Sequence, residues 1–160
     1  MDWDERTAIQ KGAFMGRDRT RTPLQWSDAP NAGFCPAGVE PWLPVNPDYS
    51  TGVNVDTQER LPDSLLHFYQ QMLKLRKDHP SLQTGEFQEI DTDNDNVLVY
   101  RRWNAQEELV VVLNLSDSIQ NVELPAPAGI VLFSNLFLAG LECSKTMELA
   151  AYQGMICLRR

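Results

Sequence analysis

Long apolar runs are missing from this sequence. Nowhere do roughly 18 apolar residues follow one another, which excludes a membrane-spanning helix of the usual kind. The opening Met1-Asp2-Trp3-Asp4-Glu5-Arg6 lacks the apolar heart of a secretory leader, so a chain starting there is expected to be soluble and cytoplasmic. Basic residues are also scarce, 14 lysines and arginines against 22 aspartates and glutamates, for a net charge of -8. A field of that sign repels phosphate, so neither nucleic acid nor an anionic membrane is an expected partner. The three cysteines (Cys35, Cys143, Cys157) are odd in number and far apart. They show neither zinc spacing nor a disulfide framework, which suits a reducing compartment. No nucleophile stands beside a base, and no phosphate loop or metal-ligand cluster is present. No cofactor and no metal are expected.

Proline, by contrast, is abundant in one place, with six of its ten copies between residues 23 and 47. That stretch is too rich in Pro, Arg and Trp for a helix or strand and too long for an ordinary turn. Loops of this length persist in compact domains mainly where they cap a binding or catalytic site. Residues 1 to about 60 carry no sustained period. Residues 61–79 then read as an amphipathic helix, with Leu65, Phe68, Tyr69, Met72, Leu73 and Leu75 at three- and four-residue spacing. Asp63 or Ser64 suits its cap, Lys74, Arg76 and Lys77 suit its cation-favouring end, and Pro80 stops it. From Gly85 the period falls to two. Strands are expected at 87–90, 97–103, 109–115, 121–124, 130–136 and 147–158, a spacing that suits an antiparallel sandwich. The unbroken Leu109-Val110-Val111-Val112-Leu113 fits a central strand covered on both faces. The predicted class is mostly β with one long helix.

Several motifs have competing readings. Arg17, Arg19 and Arg21 lie among enough carboxylates to make the local charge nearly neutral, which argues against a nucleic-acid patch. They either brace the loop or hold a neutral polyol through the donor fork of a guanidinium. Trp26, Phe34 and Trp42 either stack on sugar rings or anchor the loop. Asp91-Thr92-Asp93-Asn94-Asp95-Asn96 opens like a calcium loop, but Asn96 replaces the required Gly and Arg102 the required Glu, so it reads as a hairpin turn. Asn114-Leu115-Ser116 matches a glycosylation sequon inside a predicted strand, where a glycan is not expected. His67 and His79 have no catalytic partner at telling spacing.

Taken in order, Gly16-Arg17-Asp18, Arg21-Thr22-Pro23-Leu24-Gln25-Trp26, Asn31-Ala32-Gly33-Phe34, Pro41-Trp42-Leu43-Pro44-Val45-Asn46-Pro47 and Val53-Asn54-Val55 resemble the later part of glycoside hydrolase family 13, of the oligo-1,6-glucosidase and α-glucosidase type. Ser64, Phe68-Tyr69, Leu75-Arg76-Lys77 and the strand at 110–116 continue the likeness. The resemblance implies a (β/α)8 barrel with its site at the strand C-termini, followed by a small β-sandwich. Residues 1–60 would be the loop after the eighth barrel strand, 61–79 the last barrel helix, and 81–160 the trailing antiparallel β domain.

The implied chemistry is retaining hydrolysis of α-glucosidic bonds in short oligosaccharides. The family's nucleophilic Asp, acid/base Glu and further Asp belong to earlier strands with no counterpart here, so no catalytic residue carries over. Arg17 does carry over, as the arginine that grips the terminal glucose. An oligosaccharide is therefore the implied partner only when the full barrel is present, and the isolated chain is expected to be inactive. Leu24 departs from the family's usual Met, a volume-conserving change, and Arg19 from a small or polar residue. A transglucosylating relative of the trehalose synthase or sucrose isomerase type, and a non-catalytic β-sandwich binding module, are the alternative readings.

Overall fold

A computed structural model describes residues 20–136 and 139–159. The chain divides into two compact units between Met72 and Leu73. It is mostly strand, with one long helix and an antiparallel sheet.

In the first unit, turns and caps do the work that a sheet would do elsewhere. A 3-10 turn at Pro30–Gly33 holds Asn31, Ala32 and Gly33 successively in the left-handed region (φ 56, 55 and 68°). Such a run is costly for residues with a Cβ. Asn31 is anchored there by its side-chain amide, which donates to the carbonyls of Pro36 (3.1 Å) and Val39 (2.9 Å). Glycine suits position 33, where the backbone is left-handed and a Cβ would crowd Ser27 Oγ at 2.7 Å. A second 3-10 turn, Pro47–Thr51, ends at Gly52 with φ 103°.

Helix α1 (Val55–Arg60) follows, within a stretch for which the sequence predicts only loop. Asn54 makes it possible: its Oδ1 accepts from the Thr57 amide at 2.8 Å, satisfying a donor the helix start leaves open. Helix α2 (Leu65–Asp78) starts four residues later than expected. The reason is a turn, Ser64 N donating to Leu61 O at 3.0 Å, in which Leu61 and Pro62 link two helices. Ser64 is the cap, accepting from the His67 amide, and Gln58 Oε1 takes the Leu66 amide. Of the expected apolar stripe, Leu65, Tyr69 and Leu73 are 65, 60 and 65% exposed and Phe68 38%. No residue of α2 is buried.

The second unit begins with the end of α2 and the single turn α3 (Ser81–Thr84). Eight strands follow: β1 (Glu86–Glu89), β2 (Val97–Trp103), β3 (Glu108–Asn114), β4 (Gln120–Glu123), β5 (Gly129–Ser134), β6 (Glu142–Cys143), β7 (Thr146–Leu149) and β8 (Gly154–Arg159). Six form one antiparallel sheet in the order β1-β2-β3-β8-β5-β6, and β4 pairs with β7 alone. The expected two layers are therefore unequal, an open sheet carrying a two-stranded partner. Val97, Val99, Val110, Val112, Val131, Met155 and Cys157 from the large sheet form one core with Val122, Leu124, Ala128 and Leu149. Leu109 and Val111 alternate with the core-facing valines of β3 and are also buried, so this strand is covered on both faces as its unbroken apolar run predicts.

The expected strand at 147–158 is two strands. Between β7 and β8 the chain turns through Ala150-Ala151-Tyr152-Gln153, with Tyr152 left-handed (φ 54°). Gln153 closes this turn, its side-chain carbonyl accepting from the Ala150 amide (2.8 Å) while its own amide donates to Ala150 O (3.1 Å). β5 carries a bulge: Val131 pairs with Cys157 and Phe133 with Ile156, leaving Leu132 as the extra residue. At the other end of β5, Gly129 has φ 106°, and a Cβ there would lie 2.1 Å from Leu158 O.

Candidate active-site loop

Arg17, the substrate-binding residue implied by the sequence, lies outside the described residues, as does Arg19. The structure does describe the frame that follows them. The amides of Trp26 and Ser27 both donate to Ala32 O (2.9 and 3.1 Å), which clips the 24–27 segment to the left-handed turn. On its other side, the carbonyls of Gln25 and Trp26 accept from the Val55 and Asp56 amides (2.9 and 3.0 Å). Those two donors open α1, where the helix dipole favours negative charge and acceptor oxygens. The backbone of Gln25-Trp26 is thus held between the first turn and the first helix.

Side chains lock the same frame. Gln25 Nε2 donates to Asp48 Oδ1 (2.7 Å) and to Val53 O (2.6 Å), joining the signature to the second 3-10 turn. Asn54, 2% exposed, caps α1 and also donates to Tyr49 O at 2.8 Å. Gln25 and Asn54 both belong to the family-like motifs, and these bonds give each of them a structural role. The visible signal for Asn54 was its place just before a short polar helix. The three loop aromatics are open: Trp26 is 49% exposed, Phe34 41% and Trp42 65%. Their rings are presented by the loop rather than sunk beneath it, which leaves flat apolar faces of the sort that sugars stack on.

Other sequence candidates are structural in the second unit. Asp91 and Asn94 accept from the amides of Asp93 (3.2 Å) and Asn96 (3.0 Å) in the β1–β2 turn, so their oxygens serve the backbone rather than a cation. No group of three or more His, Cys, Asp or Glu side chains able to hold a metal occurs among the described residues. Asn114 of the sequon is 3% exposed, and its amide donates to Ser118 O and Ala150 O, each at 2.8 Å.

His79 has a carboxylate partner that sequence spacing does not reveal. Its Nδ1 lies 2.7 Å from Glu107 Oε2, and the Ser81 amide donates to Oε1 at 3.0 Å. The partner is 28 residues away and is delivered by a turn in which Asn104 Oδ1 accepts from the Gln106 and Glu107 amides. Partial burial opposes ionisation of Glu107, but the bonds from His79 and Ser81 outweigh it and hold the carboxyl below its usual value. Ser81 is completely buried, so this grouping clamps α3 to the β2–β3 turn and offers no nucleophile to a substrate. His67 is similarly engaged, Nδ1 lying 2.8 Å from Leu61 O.

Comparison with known proteins places both units. Residues 1–85 match the model described as alpha amylase, catalytic domain, and residues 85–150 a domain of unknown function, DUF3459. Oligo-1,6-glucosidase of Parageobacillus thermoglucosidasius is 38% identical over 76% of this chain and 21% of its own length. Glucan 1,6-alpha-glucosidase of Streptococcus pneumoniae is 35% identical over 81% of this chain and 25% of its own. The chain therefore spans about a fifth to a quarter of these curated relatives. Among solved structures, trehalulose synthase of Pseudomonas mesoacidophila MX-45 superposes with a TM-score of 0.79 at 30% identity, covering 99% of this chain and 30% of that one. A mutant of a trehalulose synthase of this type is described in complex with the substrate sucrose. From the clipped Gln25-Trp26 loop to the valine-rich sheet, this chain belongs to the α-amylase family, glycoside hydrolase family 13, in its oligo-1,6-glucosidase type.

Proposed function

We propose that the chain is the later portion of an α-glucosidase-type enzyme that hydrolyses α-glucosidic bonds of short oligosaccharides with retention. In this reading residues 1–60 are the loop after the eighth barrel strand and rim the active site. Residues 61–79 include the last barrel helix, and 81–160 form the trailing β domain. Arg17 grips hydroxyls of the terminal glucose with its planar donor fork. On the same reading the protein works in the cytoplasm.

The observation that carries this reading is the match of the first unit to an α-amylase catalytic domain. The state of α2 supports it. A helix with Leu65, Phe68, Tyr69 and Leu73 at helical spacing and all exposed is built to lie against other polypeptide. The nucleophile and acid/base belong to that polypeptide in this family, so the 160 residues alone do not turn over substrate. Their loss removes most of an acceleration that commonly exceeds about 10⁶-fold.

An aryl α-glucoside assay tests this directly. Purified chain is expected to show no turnover. Turnover that survives Arg17→Ala would refute both the division of labour and the role of Arg17. In a complete enzyme carrying this sequence, Arg17→Ala should raise KM for the glucoside; an unchanged KM removes Arg17 from the site. The likeness to trehalulose synthase favours one second reading, transfer of glucose rather than hydrolysis. Chromatography of products from sucrose separates the two, since isomerised disaccharide signals transfer and free glucose signals hydrolysis.

A further inference from the structure

Cys143 and Cys157 take no part in the proposed chemistry, yet they are placed together. Cys143 stands on β6, a two-residue edge strand paired on one side only, and Cys157 on the central strand β8. Their sulfurs are 3.7 Å apart, with the Cys157 thiol donating to Cys143 Sγ. The two thiols differ in access. Cys157 is 0% exposed, within the core. Cys143 is half-buried and lines a cavity of about 340 Å³ whose other walls include Pro127, Ile130, Leu158 and Arg159. A small molecule entering that cavity meets Cys143 first.

We propose that Cys143 and Cys157 form an oxidisable dithiol, in which a hydroperoxide reacts at Cys143 and Cys157 resolves the product as a disulfide. In the first step Cys143 sulfur, as thiolate, attacks the hydroperoxide. The S–O bond forms, the O–O bond breaks, and the departing alkoxide or hydroxide takes a proton from water, leaving a sulfenic acid on Cys143. Cys157 sulfur then attacks that sulfenic sulfur. The S–S bond forms, the S–O bond breaks, and the hydroxyl leaves as water with the Cys157 proton. Two thiols lose two electrons, and the hydroperoxide is reduced to an alcohol and water.

The polarity of the pair suits this order. The hydrogen bond from Cys157, acting against burial, draws the Cys143 thiol down to about 7, whereas the same contact and burial push the Cys157 thiol up. Closing the bond requires the sulfurs to approach from 3.7 Å to the roughly 2.05 Å of a disulfide. The strand free to yield is β6, since β8 is paired on both sides.

The test uses the full chain with Cys35→Ser, so that only the two thiols remain, treated with hydrogen peroxide. Intact mass should fall by about 2 Da, with both thiols lost to maleimide and regained with dithiothreitol, as disulfide chemistry requires. In the same background, Cys157→Ser and Cys157→Ala should instead accumulate a dimedone adduct at Cys143. In the natural sequence Cys143 should oxidise at least about tenfold faster than Cys35, as expected of a thiolate stabilised by its surroundings. Thiols that stay reduced, a dimedone adduct at Cys143 without cross-linking while Cys157 is intact, or cross-linking only between molecules would each overturn the proposal. The parent measurement leaves the pair itself unsubstituted, so a folding defect in either variant does not decide the outcome.

Discussion

Asn114→Ala is the sharpest test of how the second unit is held together. The residue is 3% exposed, and its side chain engages backbone groups of four other residues. Its amide donates to Ser118 O and Ala150 O at 2.8 Å each, and its Oδ1 accepts from the Ser116 amide (2.9 Å) and hydroxyl (2.8 Å). Truncation removes these four bonds and a longer one from the same amide to Leu149 O (3.4 Å). Ser116 and Ser118 lie near exposed residues, so water can replace their lost partner at about 1 kcal/mol per bond. The Ala150 carbonyl keeps its bond from the Gln153 amide (3.1 Å), so losing the Asn114 donor there costs no more than about 1 kcal/mol. A total near 3 kcal/mol is a large share of the ~5–15 kcal/mol that stabilises an ordinary domain.

Urea unfolding followed by circular dichroism measures this effect. The control is Ser116→Ala, which removes the hydroxyl's contacts with Asn114 Oδ1 (2.8 Å) and Gln120 Nε2 (3.0 Å) at a partly exposed site where water can replace it, and should cost about 1 kcal/mol. Asn114→Asp adds a check of sign. Its carboxylate would face the Ser118 and Ala150 carbonyls with no proton to donate, so its folded-state pKa should be raised. Stability of that variant should therefore recover as pH falls and the acid regains a donor. A loss under about 0.5 kcal/mol for Asn114→Ala, or an Asn114→Asp variant that weakens further in acid, would refute the reasoning.

Glu107→Gln should flatten the acid side of the stability profile. The folded pKa is lowered, so the stabilisation is present above the ordinary glutamate range and lost as pH falls through and below roughly 4; equal pH profiles for variant and parent between 3 and 6 would contradict this. Gly129→Ala combines a left-handed backbone with a Cβ 2.1 Å from Leu158 O, and should cost about 3 kcal/mol in thermal unfolding. Leu73→Glu, on the exposed face of α2, should change stability of the isolated chain by no more than about 0.5 kcal/mol while lowering the soluble yield of a complete enzyme. Both quantities come from one expression and melting series.

Much of this architecture is written locally. Val97–Trp103 was expected at the bounds the structure gives, because alternating β-branched residues between turn formers leave few other choices. The double coverage of β3 follows from its unbroken valines in the same way. Misreadings occurred where a polar side chain, rather than Gly or Pro, makes the turn. Ala150-Ala151-Tyr152-Gln153 contains no strong breaker, and its bend rests on Gln153 and on a carbonyl 36 residues earlier that takes the Tyr152 amide. β6 is only two residues long and exists because β5 is beside it. The His79–Glu107 contact could not be anticipated from spacing, since the β2–β3 hairpin creates it. In the loop, motif resemblance located the candidate site, but the Gln25–Asp48 link is a tertiary fact that no periodicity encodes.

The strand order has a consequence for how the second unit assembles during synthesis. β1, β2 and β3 pair as successive neighbours, whereas β3 and β5 never touch as partners and are joined only through β8. As the chain emerges from its N-terminal side, a three-stranded meander can form early. β5 and β6 must wait, with Val131 and their open edges uncovered, until Gly154–Arg159 slides between them and β3. The interval before that final insertion is when this polypeptide is most vulnerable to wrong pairing and to proteases.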